Sequence, residues 1–222
     1  MADLIDTTEM YLRTVYELDE EGIVPLRARI AERLGHSGPT VSQTVGKLER
    51  DGWLLVGDDR QVVMTQAGRH RGEVVMRKHR LAECMLTELI GLEWADAHEE
   101  ACRWEHVMSD QVVRRLVAIL GDPSESPYGN PIPGRAQTRD FNDGVIRLDR
   151  AVMPGQQGVY QLARFSEVFQ GDRQLLSQLA GIEARPGKQV DLTADAAGWL
   201  VRTPAGSVQL SRAAGRGVYL VQ

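Results

Sequence analysis

Leu26-Arg27-Ala28-Arg29-Ile30-Ala31-Glu32-Arg33-Leu34-Gly35-His36-Ser37-Gly38-Pro39-Thr40-Val41-Ser42-Gln43-Thr44-Val45-Gly46-Lys47-Leu48-Glu49-Arg50 is the stretch on which the fold turns. Ala28, Ile30, Ala31 and Leu34 are the apolar positions of a short helix. Gly35 ends it, because glycine adopts the left-handed backbone of a helix C-terminus without a Cβ clash. Ser37 then caps a second helix, with Pro39 in its first turn. Val41, Val45 and Leu48 recur at helical spacing and face inward. Two short helices around a tight glycine turn predict a helix-turn-helix.

The outward face of the second helix carries Pro39, Thr40, Ser42, Gln43, Lys47 and Arg50, and has no carboxylate before Glu49. Gln43 can bond both N6 and N7 of adenine in a major groove. Ser37 and Pro39 suit thymine methyls. Arg27, Lys47, Arg50 and Arg60 suit phosphates, which position a protein without reading sequence. Ala28 completes this candidate DNA face. An ordinary solvated helix of mixed charge is the plainer alternative. The next stretch favours DNA: Trp53 to Val56, a Gly57-Asp58-Asp59-Arg60 turn, then Gln61 to Met64 form a hairpin placed as a wing, with Arg60 at its tip.

Upstream, residues 4–20 read as an amphipathic helix with Asp3 as N-cap and Leu4, Ile5, Thr8, Leu12, Val15 and Tyr16 on one stripe. Met10 points away from that stripe, among Asp6, Arg13, Thr14 and Glu17. Taken alone it is a scattered surface apolar residue; the sharper alternative has its thioether meeting a soft metal.

The 222 residues suffice for one large domain or two to three small ones. A net charge of −5 argues against a nonspecific polyanion binder but leaves room for a local basic edge. Two cysteines make no disulfide framework, no signal-peptide pattern opens the chain, and no apolar run reaches membrane-spanning length. A reducing, cytoplasmic setting is the expectation, in which Cys102 stays a free thiol.

Downstream, helices are expected over about 65–90, 94–108 and 109–120. Cys102, Glu105 and His106 fall at i, i+3 and i+4 of the second, with His98 one turn earlier. Thiolate, carboxylate and imidazole converging on one point outline a transition-metal site. His79 and Glu83, also i and i+4, can hold an ion with His98 as third ligand; a surface pair worth a few tenths of a kcal/mol (~0.3) is the alternative. His36 and His70 read as surface residues and Cys84 as packing. Leu81, Met85, Leu86, Leu89, Ile90, Val112, Val113 and Leu116 exceed what three helices bury alone. Either helix-mediated dimerisation or an intramolecular core would use them.

Residues 121–134 form a proline-rich break, either a boundary or an extended segment docking on another surface, and 135–144 read as a polar linker. From Val145 the period becomes that of short strands between glycine turns, with Arg173 to Ala180 as the only helical insert: a small β-barrel.

With these residues in view, the chain resembles the diphtheria toxin repressor and the iron-dependent regulators of actinobacteria. The resemblance rests on Asp6 to Thr14, Pro25 to Leu34, Ser37 to Val45, Met76 to Glu83, Glu100 to Ser109 and Gly129 to Gly134, and is weak in the barrel. It implies a mainly α fold with a small β part: a winged helix-turn-helix DNA-binding domain (1–73), a metal-binding and dimerisation domain ending in the proline-rich segment (74–140), and an SH3-like domain (145–222). It implies a primary metal site of Met10, Cys102, Glu105 and His106. It implies an ancillary site of His79, Glu83 and His98 completed from the third domain by Asp172, with Gln174 one position off the usual spacing. It implies an anion held by Arg80, Ser126 and Asn130. Lys47 stands where relatives use arginine, so it can meet a phosphate but lacks the bidentate fork.

The function implied is a homodimeric, Fe(II)-activated repressor of iron-homeostasis genes that binds a palindromic operator, with two dimers on one operator allowed. Sulfur ligands at Met10 and Cys102 favour Fe(II) over Mn(II), while Co(II), Ni(II), Zn(II) or Mn(II) should substitute in vitro. No membrane and no small-molecule substrate is expected. An enzyme is disfavoured, since no His-Glu-x-x-His run or nucleophile motif occurs. A winged-helix regulator sensing a small ligand or redox state through Cys102 is the alternative.

Overall fold

A computed structural model describes residues 6–134 and 140–222. The expected cap Asp3, with Leu4 and Ile5, lies outside the described residues. The cap of α1 (Thr7–Glu20) is Asp6, whose carboxylate accepts from the backbone N–H of Thr8 at 2.8 Å and of Glu9 at 3.3 Å. The helix-turn-helix is present as α2 (Arg27–Leu34) and α3 (Gly38–Arg50). Gly35 between them has φ +65° and returns its N–H to the Ala31 carbonyl, while the Ser37 hydroxyl accepts from Thr40 N–H. The wing pairs β1 (Leu54–Val56) with β2 (Val62–Met64) in antiparallel register, Leu55 opposite Val63. Its tip closes through Arg60, whose N–H donates to the Gly57 carbonyl at φ +66°. Tyr11, Leu12 and Val15 of α1 pack against Ile30, Val41, Val45, Leu48, Leu54 and Val62 in one buried cluster.

α4 (Gln66–Cys84) lies along α1 and carries Met76 into the same cluster. The limit expected at 73/74 therefore falls within a helix. Near its start Gly68 lets the helix close onto the wing: a Cβ there would stand 2.1 Å from the Trp53 carbonyl oxygen. Gly68→Ala should cost about 3 kcal/mol, because backbone rather than a flexible side chain must give. The expected drop in Tm is about 6–12 °C, measurable by circular dichroism.

The helix expected to reach Ile90 does so, but its last turn, Met85–Ile90, widens to π-helical pitch before Gly91 ends it at φ +77°. α5 (Ala97–Trp104) is shorter than expected, yet Glu105 N–H still reaches the Ala101 carbonyl and Met108 N–H that of Trp104. Glu105 and His106 thus follow Cys102 with nearly helical spacing. α6 (Asp110–Leu120), capped by Ser109, closes a small core of Ala82, Leu86, Ala97, Ala101, Met108 and Leu116. Leu89, Ile90, Trp104, Val107, Val112 and Ile119 remain exposed on this block.

The proline-rich segment is not an outlying tether. Tyr128, Asn130 and Ile132 are fully buried. The Tyr128 hydroxyl donates to the Trp94 carbonyl at 2.5 Å and accepts from His98 N–H at 3.2 Å, and its own carbonyl accepts from Phe165 N–H. Of the expected polar linker, 135–139 lie outside the described residues. Asp140, Asn142, Asp143 and Gly144 are exposed as expected, but Phe141 among them is buried edge-on against Tyr219.

The C-terminal part is an antiparallel sheet in the order β3-β8-β4-β5-β6-β7, built from β3 (Val145–Arg147), β4 (Gln157–Phe165), β5 (Gln189–Ala194), β6 (Gly198–Thr203), β7 (Gly206–Ser211) and β8 (Val218–Val221). The first half of β4 pairs with β5 and the second with β8, with a register shift between Leu162 and Arg164 that bends the strand. Helical inserts number four rather than one: α7 (Leu148–Ala151), α8 (Glu167–Gln170), α9 (Arg173–Gly181) and a 3-10 turn at Ala214–Gly217. Trp94 and Tyr128 from the helical block share the core of this sheet with Leu148, Leu162, Phe165 and Trp199. No helix among the described residues is long and apolar enough to cross a membrane.

Candidate metal centre and DNA face

One turn of α4 separates His79 from Glu83, and both are fully buried, with His79 Nε2 2.7 Å from Glu83 Oε1. α5 brings His98 over them, Nδ1 3.2 Å from His79 Nε2 and 3.3 Å from Glu83 Oε1. The fourth group is Glu167, the first residue of α8, whose Oε2 lies 3.3 Å from His79 Nε2 and 3.5 Å from His98 Nδ1. Two imidazole nitrogens and two carboxylate oxygens therefore stand within 4.8 Å of one another. Glu83 Oε2 is buried with no hydrogen-bond donor, and Glu167 Oε2 meets the imidazoles of His79 and His98. Two buried carboxylates facing two imidazoles fit a divalent first-row ion.

The protein manages this charge with its own cations. Burial opposes ionisation of Glu167, but Arg80 and His79 beside it hold the carboxyl well below its usual range. Burial likewise opposes a charged His98, yet the Cys102 sulfur and Glu83 raise it to about 9.

Asp172 and Gln174 are not brought to this cluster. Asp172 is exposed and accepts Leu175 N–H as the cap of α9, and Gln174 is exposed on that helix. The residue in the cluster is Glu167; Gln170, also buried, donates its Nε2 to the Phe165 carbonyl at 2.8 Å. The signal was present as Glu167-Val168-Phe169-Gln170, a Glu followed three residues later by Gln, its Glu five positions before Asp172 and its Gln four before Gln174. Glu167→Ala should weaken metal uptake by about 10–100-fold. Asp172→Ala should leave uptake unchanged and cost about 1 kcal/mol of stability through the lost cap. Calorimetric titration and thermal melts distinguish them.

Cys102, Glu105 and His106 adjoin the first cluster. Glu105 Oε2 is 2.7 Å from His79 Nδ1, and Glu105 Oε1 is 3.2 Å from His106 Nε2. Cys102 Sγ is 3.8 Å from His98 Nε2. Each of His79 and His98 thus turns one ring nitrogen to Glu83 and Glu167, and the other to Glu105 or Cys102. Met10 is half-buried at the edge of the N-terminal cluster.

The polar face of α1 is not solvated. Glu9, Thr14 and Glu17 are buried, and Glu9 Oε2 receives His106 Nδ1 at 2.7 Å. Arg71 pairs with the other Glu9 oxygen at 2.6 Å. A carboxylate on Nδ1 fixes the imidazole so that Nε2 faces Glu105. Arg13 reaches Cys102 and Glu105 from the same face. Glu9 and Arg13 touch the candidate site, and sequence reasoning passed over both. Burial opposes ionisation of the Cys102 thiol, but Arg13 and His98 outweigh it and hold it well below the ordinary thiol range.

Of the anion residues, Arg80 and Asn130 converge on a carboxylate of the chain itself. Arg80 Nε and Nη2 each donate to Glu167 Oε1 at 3.0 Å, and Asn130 Nδ2 at 3.3 Å. Arg80 also forks onto Glu20 at 2.9 and 2.7 Å. Ser126 is buried, its hydroxyl accepting Tyr128 N–H in a turn.

On the head, Ser37, Pro39, Thr40, Ser42, Gln43, Lys47 and Arg50 are all exposed along α3, Ala28 on α2 and Arg60 at the wing tip. Arg27 is half-buried. His36 is tied to the interior, its Nδ1 3.1 Å from the Tyr11 hydroxyl.

Comparison with known proteins identifies two family domains in the chain. A family model described as "Iron dependent repressor, N-terminal DNA binding domain" matches residues 3–62. A second, "Iron dependent repressor, metal binding and dimerisation domain", matches residues 65–134. The chain is 54% identical to the diphtheria toxin repressor of Corynebacterium efficiens, covering 86% of this chain and 85% of that one. It is 49% identical to the iron-dependent repressor IdeR of Mycobacterium tuberculosis, covering 95% and 90% respectively. Among solved structures, a manganese-dependent transcriptional repressor in complex with manganese superimposes with a TM-score of 0.80 at 29% identity, over 97% of this chain and 99% of that one. ScaR with bound Zn2+ gives 0.78 at 26% identity, over 97% and 99%.

Proposed function

The chain belongs to the family of iron-dependent transcriptional repressors, and from that premise we propose that Fe(II) is its effector, that it acts as a homodimer on a palindromic operator, and that an operator can take two dimers. The observation that carries this reading is the buried donor cluster between α4, α5 and α8, which α1 of the head reaches through Arg13. Three units are proposed, 1–73, 74–140 and an SH3-like 145–222, with the exposed apolar surface of the middle one serving the dimer. The setting proposed is cytoplasmic.

His79, Glu83, His98 and Glu167 are the proposed ancillary ligands. Cys102, Glu105 and His106 with Met10 are the proposed primary ones. A divalent ion bound there supplies the positive centre that these donors share. The chain's own residues do the rest. Cys102, Glu105 and His106 belong to α5 and the turn after it, and Met10 to α1. Drawing them together fixes the angle between head and dimer block. Two recognition helices must meet successive major grooves roughly 34 Å apart, so that angle decides whether both can bind. Ser37, Pro39, Thr40, Ser42 and Gln43 then face base edges, while Arg27, Lys47, Arg50 and Arg60 meet phosphates. The metal acts through its difference in affinity between the two arrangements, and a nearly complete shift needs roughly 5 kcal/mol. An external anion at Arg80 and Asn130 would share or replace the Glu167 carboxylate.

Fluorescence anisotropy of a labelled palindromic operator, titrated under Fe(II), Mn(II), Zn(II) or chelator, tests the reading. Binding should require metal and be strongest with Fe(II) at limiting concentration. Binding that ignores chelator but responds to thiol oxidation would replace it with redox sensing at Cys102.

A further inference from the structure

Arg13 occupies a place that nothing in the proposed repression mechanism uses. It lies on α1 three residues after Met10, and its side chain is 11% exposed. Its Nη1 donates to Cys102 Sγ at 3.3 Å and to both Glu105 oxygens, at 3.0 and 2.8 Å. Its Nε donates to Glu17 at 2.7 Å, and Nη2 approaches Glu167 Oε2 at 3.9 Å. One guanidinium nitrogen therefore holds three donor atoms from two of the proposed primary ligands. Arginine cannot shed its proton in a protein, so this is a fixed positive charge.

We propose that Arg13 is the site's built-in cation, which a divalent ion at Cys102 and Glu105 must displace, so that Arg13 sets the metal concentration at which the repressor responds. This rests on the assignment of Cys102 and Glu105 as ligands. Both occupants seek the same sulfur and the same carboxylate, and two cations cannot share them at contact distance. While Arg13 is in place, Cys102 and Glu105 are already compensated, and the ion gains only the difference between its own attraction and that of the guanidinium. The rest of the surroundings favour the exchange. His79 and His106 also reach Glu105, and Glu17 remains bonded to Arg33 as well as to Arg13. Glu17 can therefore keep Arg13 on α1 once its far end is released. Met10 and Arg13, three apart on one helix, are neighbours on its surface. One small adjustment of α1 can then withdraw one side chain and advance the other.

The alternative role is positional: Arg13 would hold Glu105 ready, and its loss would weaken metal binding. The two roles differ in sign. The test uses the full chain, stripped with chelator and titrated with Co(II), reading the thiolate-to-cobalt charge-transfer absorption. Arg13→Gln should bind Co(II) at least tenfold more tightly than the unaltered protein, with Arg13→Lys in between. In thermal melts, Arg13→Gln should fall below the unaltered protein when stripped and match it when saturated with Co(II). Arg13→Leu, which keeps an aliphatic side chain and adds no metal ligand, supplies the same readings if the glutamine variant does not fold. Equal or weaker Co(II) binding by the variants, or a melting deficit that Co(II) does not remove, overturns the proposal while leaving the ligand assignment standing. A Cys102→Ser protein that keeps the charge-transfer band overturns the assignment and the proposal together.

Discussion

The His106→Ala protein should bind operator no better with Fe(II) than with chelator, a loss on the order of a hundredfold or more at metal concentrations that activate the unaltered chain. Cys102→Ala should do the same. His106 is nearly buried in a line of contacts that starts at Arg71, passes through Glu9 and ends at Glu105. Removing the ring therefore cuts a ligand and one tie between α1 and the block that follows α5. The fold should survive, because the cores of the head, the helical block and the sheet do not include this ring. His79→Ala is a harsher change for the fold, since the ring faces Glu83, Glu167 and Glu105 together, and its loss leaves Glu83 without its nearest cation. Anisotropy with and without Fe(II), beside a far-ultraviolet melt, separates lost response from lost fold. A normal metal response in His106→Ala would remove that residue from the site.

The second large effect is on stability. Arg80 is fully buried and bonds Glu20 of α1, Glu167 of α8 and the Pro131 carbonyl. Arg80→Met keeps the aliphatic stem and strands two carboxylates. Breaking a buried ion pair from one side costs about 3–5 kcal/mol, chiefly through the charge left behind. For a chain of this size that is about 6–20 °C in Tm. Arg80→Lys should recover only part of it, because an ammonium cannot fork onto Glu20 while also reaching Glu167. The double variant Arg80→Met/Glu167→Gln should melt above Arg80→Met, since it removes one stranded charge. Equal melting of the single variant and the unaltered protein would mean that water already solvates these groups.

The parts of this molecule that were legible in sequence are those set by local rules. Gly35, Ser37 and Pro39 punctuate the helix-turn-helix through backbone geometry and capping, which act within a few residues. His79 with Glu83, and Cys102 with Glu105 and His106, are neighbours because a helix makes them so. What escaped was what distant packing decides. Glu167 joins the cluster only because α8 follows β4 directly and the sheet docks on Trp94 and Tyr128. Its Glu-x-x-Gln spacing was visible, but its place in space was not. The polar face of α1 looked solvated, since a sequence gives no sign that carboxylates and guanidinium will be buried against another domain's imidazoles. Phe141 hid in a polar stretch for the same reason.

The proline-rich segment has a consequence for how this protein can be dismantled. Gly129 approaches β4 so closely that a Cβ would meet the Ala163 carbonyl at 2.1 Å, and Tyr128 ties Trp94, His98 and Phe165 into one seam. A chain cut after residue 144 would keep the segment but lose the wall it leans on. Trp94 and Tyr128 would then face water and His79 would lack Glu167. Such a truncate should be sticky in solution and blunted toward metal at once, so solubility and sensing are inherited through the same few side chains.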